Sequence, residues 1–108
     1  KMILELANGP VDNEADAILN ERGVIVVPDI LANAGGVVVS YFEWVQDIMS
    51  FFWDEEEVNK RLHSIITKAF DRSYAMAQEK NVDLRLAAMA VAVDRLQAAM
   101  LLRGLYPR

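Results

Sequence analysis

Pro28-Asp29-Ile30-Leu31-Ala32-Asn33-Ala34-Gly35-Gly36-Val37-Val38-Val39-Ser40-Tyr41-Phe42-Glu43-Trp44 is the stretch on which the reading of the whole chain turns. Val24-Ile25-Val26-Val27 runs into it, β-branched throughout and without alternation, as expected of a strand buried on both faces of a parallel sheet. Behind the proline come small residues, a Gly-Gly pair and then a strongly apolar run that predicts a helix from about Gly35 to Phe52. The result is a strand–loop–helix unit whose backbone is bare enough for close approach by a ligand. Glycine has no Cβ in the way, and the first amides of a helix have no partner inside it. Taken alone, Gly35-Gly36 reads first as a tight turn. Asn33 and Ser40 point further, because they place side-chain donors on either side of the helix start, Ser40 about one turn in.

Upstream, Met2 to Leu6 is an apolar run of strand length, stopped by the turn-forming Ala7-Asn8-Gly9-Pro10. Asp12 or Asn13 can then cap a helix to about Arg22, with Ala15, Ile18 and Leu19 on one face and Gly23 placed to end it. Strand, helix, strand in this order predicts two parallel strands joined by a right-handed crossover. In such a pair the loops leaving the two strands lie at the same sheet edge. The Asn8-Gly9-Pro10 loop and the Asn33-Ala34-Gly35-Gly36 loop are therefore expected side by side, at the carboxyl ends where open α/β sheets bind ligands.

The long string from Pro28 to Trp44, with Ala7-Asn8-Gly9-Pro10 upstream, resembles the final loop and helix of the nucleotide-binding domain in glutamate dehydrogenases, members of the glutamate/leucine/phenylalanine/valine dehydrogenase family. The resemblance extends over essentially all 108 residues. Leucine and phenylalanine dehydrogenases share the Asn-Ala-Gly-Gly core but not the Ser-Tyr-Phe-Glu-Trp continuation, which favours the glutamate branch. The fold this implies is α/β: the C-terminal part of a Rossmann-like nucleotide-binding domain with two parallel strands, followed by long α-helices and helix-rich overall. Residues 1–53 would complete the nucleotide-binding domain, and residues 54–108 would form a helical segment bridging to a catalytic domain outside this chain.

The implied reaction is the reversible oxidative deamination of L-glutamate to 2-oxoglutarate and ammonia, with hydride passed to NAD or NADP. By resemblance, Asn8 lies near the nicotinamide ribose and Asn33 binds the nicotinamide end of the cofactor. Gly36, Val37 and Ser40 line the amino-acid pocket, with the Ser40 hydroxyl on the substrate's side-chain carboxylate. Neutral donors suit such work, since they orient a polar cofactor and an anionic substrate without a competing charge. No catalytic residue is expected within this segment: the family's lysine and aspartate lie elsewhere, and Lys1, Lys60, Lys68 and Lys80 do not match their motif. The resemblance further implies a homo-oligomer, commonly a hexamer, and an inactive isolated piece; the absence of cysteine fits a cytoplasmic protein.

Downstream, the helix from Gly35 is apolar nearly all round, and Ser40, Glu43, Asp47 and Ser50 form one polar stripe. Asp47 and Ser50 read as solvated face, and the aromatics Tyr41, Phe42, Trp44 and Phe51 as core or interface packing rather than a cofactor stack. Asp54 with Glu57 reads as a capping box opening a helix to about Glu79, its acidic start explained by the helix dipole rather than by a metal. His63 has no partner at catalytic spacing and reads as a surface or packing residue. Asn81-Val82-Asp83 breaks the chain, and Asp83 caps a last helix to about Arg103, ended by Gly104. This helix is apolar on nearly every side and is expected to pack between this piece and a missing domain.

Composition excludes several functions. A net charge of −5 argues against a nucleic-acid or anionic-membrane surface, which needs clustered Lys and Arg. No apolar run reaches the roughly 18 residues of a membrane span, so a hydrophobic content of 54% reads as surface meant for other protein. With no cysteine and one histidine, neither a disulfide framework nor a zinc site is expected. The opening Lys1-Met2-Ile3-Leu4 lacks a signal-peptide pattern and reads as the start of a cut piece. Two other functions remain in view. One is a non-catalytic interaction module using the apolar C-terminal helix. The other, a free-standing nucleotide-binding domain, is disfavoured because no Gly-x-Gly-x-x-Gly follows a strand.

Overall fold

A computed structural model describes residues 1–104. Two three-residue strands, β1 (Met2–Leu4) and β2 (Ile25–Val27), form a parallel pair in the register Met2 to Ile25, Ile3 to Val26 and Leu4 to Val27. The helix α1 (Asn13–Glu21) is the crossover between them. Asp12 rather than Asn13 caps it, accepting the Ala15 N–H at 2.8 Å. Its far end closes with the Val24 N–H on the Leu19 carbonyl and the Gly23 N–H on that of Asn20, the paired bonds of a Schellman stop.

Both strands are shorter than their apolar runs. Glu5 and Leu6 leave the ladder after one further bond, Glu5 N–H to the Val27 carbonyl at 3.1 Å. Val26 and Val27 are buried, but Ile25 is 55% exposed, so within this chain β2 is covered on one side more than the other.

Between β2 and the glycines lies an element that periodicity does not reveal, the single turn α2 (Asp29–Ala32). The Gly35-Gly36 pair is not a turn. It forms the first residues of α3 (Gly35–Met49), with ordinary helical backbone. This helix stops short of Phe52, at Met49. Ser50 adopts a left-handed φ of 48°, the Phe51 N–H bonds the Gln46 carbonyl at 3.2 Å, and the Gln46 side chain accepts the Trp53 N–H at 2.6 Å.

α4 (Glu55–Lys80) and α5 (Leu84–Arg103) form a helical hairpin. Asp54 caps α4 through the Glu57 N–H, but only half of the expected box forms, because the Glu57 carboxylate is taken by Arg61 Nε at 2.6 Å. Asp83 caps α5 in the same way, through Leu86 N–H at 2.9 Å. Small buried residues let the two helices approach: Ser73 and Ala77 on α4, Ala87 and Ala88 on α5. The core is continuous from sheet to hairpin, with Val27, Ala77, Leu84 and Ala87 in one cluster against Leu31, Ala32, Met76 and Val82. From Ala92 onward the described part of α5 is exposed. No described helix is long and apolar enough to cross a membrane.

Candidate functional site

The parallel register carries both strand exits to one edge, and there the two loops meet. Asn33 Nδ2 donates to Asn8 Oδ1 at 2.7 Å and to the Leu6 carbonyl at 3.3 Å. A carbonyl can only accept, so this second bond fixes which way the Asn33 amide faces. Its Oδ1 is turned away from Leu6 and makes no hydrogen bond among the described residues, as is true of Asn8 Nδ2. The edge thus offers one neutral acceptor and one neutral donor, a pair suited to ribose hydroxyls and to a carboxamide. Gly9 beside them has φ of +57°, a conformation costly to any residue with a Cβ, and its N–H is held by Asp29 Oδ2 at 2.9 Å.

Two residues beyond Asn33, α3 begins at Gly35 without a side-chain cap. Gly36 there costs helix stability, roughly 1 kcal/mol against alanine, and nothing among the described residues explains it: a Cβ at Gly36 meets none of their atoms within 4 Å. Its neighbour Gly35 faces inward, toward Leu62 Cδ1. Ser40 lies four residues after Gly36, on the same face, and is exposed, as is Val37. The structure therefore joins Asn8 to Asn33 by a direct hydrogen bond. It leaves Gly36, Val37 and Ser40 as an open backbone-and-hydroxyl face on the first turns of α3.

A charged cluster beneath this edge escaped the sequence reading. Glu5, 2% exposed, receives a two-pronged grip from Arg85: Nη2 to Oε1 at 2.6 Å and Nη1 to Oε2 at 3.0 Å. The same guanidinium reaches Asp16 through Nη2 at 3.2 Å and Nε at 3.3 Å, and its Nη1 lies 3.9 Å from Asp29 Oδ1. Glu5 Oε2 also accepts the Asp29 N–H at 2.9 Å.

The Arg85 hydrogen bonds hold the Glu5 carboxyl below its usual range, against a burial cost that pushes the other way. Backbone donors Gly9 and Ile30 do the same for Asp29. Arg85 in turn is held more firmly protonated by Glu5 and Asp16. Every carboxylate in the cluster is engaged by a donor, so the group acts as a fastening rather than as a proton shuttle. Two signals marked it: an acid inside the apolar Ile3-Leu4-Glu5-Leu6, and a cation in the first turn of α5, against the helix dipole.

Comparison with known proteins gives a consistent result. Residues 1–104 match the Glutamate/Leucine/Phenylalanine/Valine dehydrogenase family. The chain is 53% identical over 107 residues to a glutamate dehydrogenase of Thermotoga maritima, covering 99% of this chain and 26% of that protein. The crystal structure of glutamate dehydrogenase from Peptoniphilus asaccharolyticus superposes with a TM-score of 0.91 at 45% identity, over 98% of this chain and 27% of that one. The hetero-hexameric glutamate dehydrogenase from Thermus thermophilus, in its Leu-bound form, gives 0.92 at 42% identity, over 98% of this chain and 26% of that one. The chain thus spans about a quarter of the length of the relatives it matches. Sharing both the sequence and the Rossmann-type architecture of these enzymes, it belongs to the Glutamate/Leucine/Phenylalanine/Valine dehydrogenase family.

Proposed function

We propose that this chain is the C-terminal segment of an NAD(P)-dependent glutamate dehydrogenase, which interconverts L-glutamate with 2-oxoglutarate and ammonia. The observation that carries this reading is the 2.7 Å bond from Asn33 to Asn8, which makes one binding edge out of two loops. Asn33 and Asn8 take the nicotinamide end of the cofactor, through the outward acceptor and donor that their mutual bond leaves free. Gly36 and Val37 form the wall of the substrate pocket, and the Ser40 hydroxyl donates to the substrate's side-chain carboxylate. The open space around Gly36 supports this assignment, because a glycine with no crowding inside its own chain suits close approach from outside it. When bound, NAD or NADP supplies the hydride acceptor for deamination. The catalytic lysine and aspartate come from the remaining part of the enzyme.

In this reading residues 1–53 complete the nucleotide-binding domain, and α4 and α5 lead toward the catalytic domain. The oligomer is proposed to be a hexamer, as the Thermus thermophilus relative is named to be, and the compartment the cytoplasm, which the absence of cysteine suits. Ser40→Ala in the full-length parent tests the pocket. A hydrogen bond to a charged group is worth about 1.5–3 kcal/mol, so the KM for glutamate should rise roughly 10–100-fold while cofactor affinity stays within twofold. Equal loss of both would remove Ser40 from the role given to it.

A further inference from the structure

We infer that Arg85 is a positioning residue for the cofactor edge: through Glu5 and Asp29 it fixes the conformation of the Asn8-Gly9 loop. The inference rests on the function proposed above. Its basis is an unbroken series of short contacts. Arg85 grips Glu5 with both prongs at 2.6 and 3.0 Å. The same Glu5 oxygen that meets Nη1 accepts the Asp29 N–H at 2.9 Å. Asp29 Oδ2 then accepts the Gly9 N–H at 2.9 Å, while its Oδ1 takes Ile30 N–H at 2.7 Å.

Gly9 needs this hold. Its left-handed backbone is one of several that glycine visits freely, so the loop's shape has to be set from outside. Asn8, adjacent to it, presents the free donor of the edge. Two devices therefore fix the Asn8-Gly9 loop: the Asn33 amide from the ligand side, and the Arg85-Glu5-Asp29 series from beneath.

The cluster is also anomalous as a mere stabiliser. It places three carboxylates around one guanidinium and buries one of them. It sets the cation at a helix N-terminus, where the dipole opposes it. Such a departure from local preference is the kind that functional positioning explains. The arginine is required for its planar fork, because a single ammonium cannot engage Glu5 through both oxygens while also reaching Asp16.

The test uses the full-length parent enzyme, assayed for glutamate-dependent reduction of its coenzyme, with NADH or NADPH binding followed by fluorescence. Arg85→Gln should raise the cofactor KM and the reduced-cofactor Kd by 5–20-fold (roughly the 1–2 kcal/mol of a lost hydrogen-bond tie) and leave the glutamate KM, at saturating cofactor, within twofold. Arg85→Lys should recover part of the loss. Trp53→Ala, which removes the ring packed on Phe42 and Arg61 where α3 meets α4, serves as the stability control and should lower the melting temperature without moving cofactor affinity. Should Arg85→Gln fail to fold, Asp29→Asn replaces it: the buried Glu5–Arg85 pair survives, and cofactor affinity should still fall. Cofactor constants within twofold of wild type in a folded variant, or an equal rise in Trp53→Ala, would overturn the inference. A wild-type parent that reduces neither NAD nor NADP with glutamate would instead refute the proposed function.

Discussion

Glu5 is a carboxylate almost wholly withdrawn from water, and its charge is tolerable only because Arg85 meets both its oxygens. Both Glu5 and Asp29 titrate below their ordinary values in the fold, so the unfolded chain binds more protons than the folded one in mild acid. Their stabilisation is therefore complete above about pH 4.5 and is lost as pH falls through the lowered values. Glu5→Gln in the parent should destabilise near neutrality by about 1.5–3 kcal/mol, the worth of hydrogen bonds to charged groups. The difference from wild type should shrink as pH falls below about 4.5, as protonation removes from the wild type the charge that the Gln variant already lacks. A melting-temperature difference that stays constant as the pH falls would mean that the Glu5 carboxylate is not held ionised by the fold. At this scale the edge where the two loops meet was only half legible. Asn8 and Asn33 could be brought together from the βαβ order alone, because parallel strands leave a sheet at one edge. Arg85 could not be joined to Glu5, since 80 residues separate them and no local pattern links a first-turn arginine to a strand end.

Element boundaries divided along the same physical line. Starts fixed by a local side chain were readable, as at Asp12, Asp54 and Asp83, each of which caps the helix that follows it. The end of α3 was not. Ser50 takes a left-handed backbone normally left to glycine, and what secures the stop is a Gln46 side chain reaching forward to Trp53. α2 was invisible because a single turn is too short to show a period. The α4–α5 seam makes a further prediction. Ala87 is fully buried where the helices meet, so Ala87→Leu should cost about 1–3 kcal/mol by overpacking, read as a lowered melting temperature of the parent. An unchanged melting temperature would mean that the seam has slack the structure does not show. Phe42 and Trp53, ring centroids 5.5 Å apart, close the other end of the hairpin where α3 meets α4, with Arg61 over the indole at 4.4 Å.

As a whole molecule the chain exposes 8631 Å². A compact monomer of its 12.1 kDa is expected to expose about 6,000 Å². Much of the surplus is apolar: Val37, Tyr41, Trp44, Phe51 and Phe52 around α3, and Leu101 and Leu102 near the end of α5. Both outer edges of the two-stranded sheet are also unpaired within the described residues, an arrangement that is marginal in isolation. The separate 108-residue piece should therefore associate or bind the complementary part of its parent, and should not reduce NAD or NADP with glutamate by itself. A monomeric, active fragment in sedimentation and assay would contradict both expectations. The bond between Glu5 and Arg85 has a temporal side as well. At roughly 5–20 residues per second, about 4–16 s of synthesis separate the emergence of the acid from that of its base. Throughout that interval Glu5, at the end of β1, carries a charge it cannot bury. Chains stalled before residue 85 should leave the β1–α1 region open to proteases, and those stalled well past it should protect that region, so that α5, made later, licenses β1 to settle.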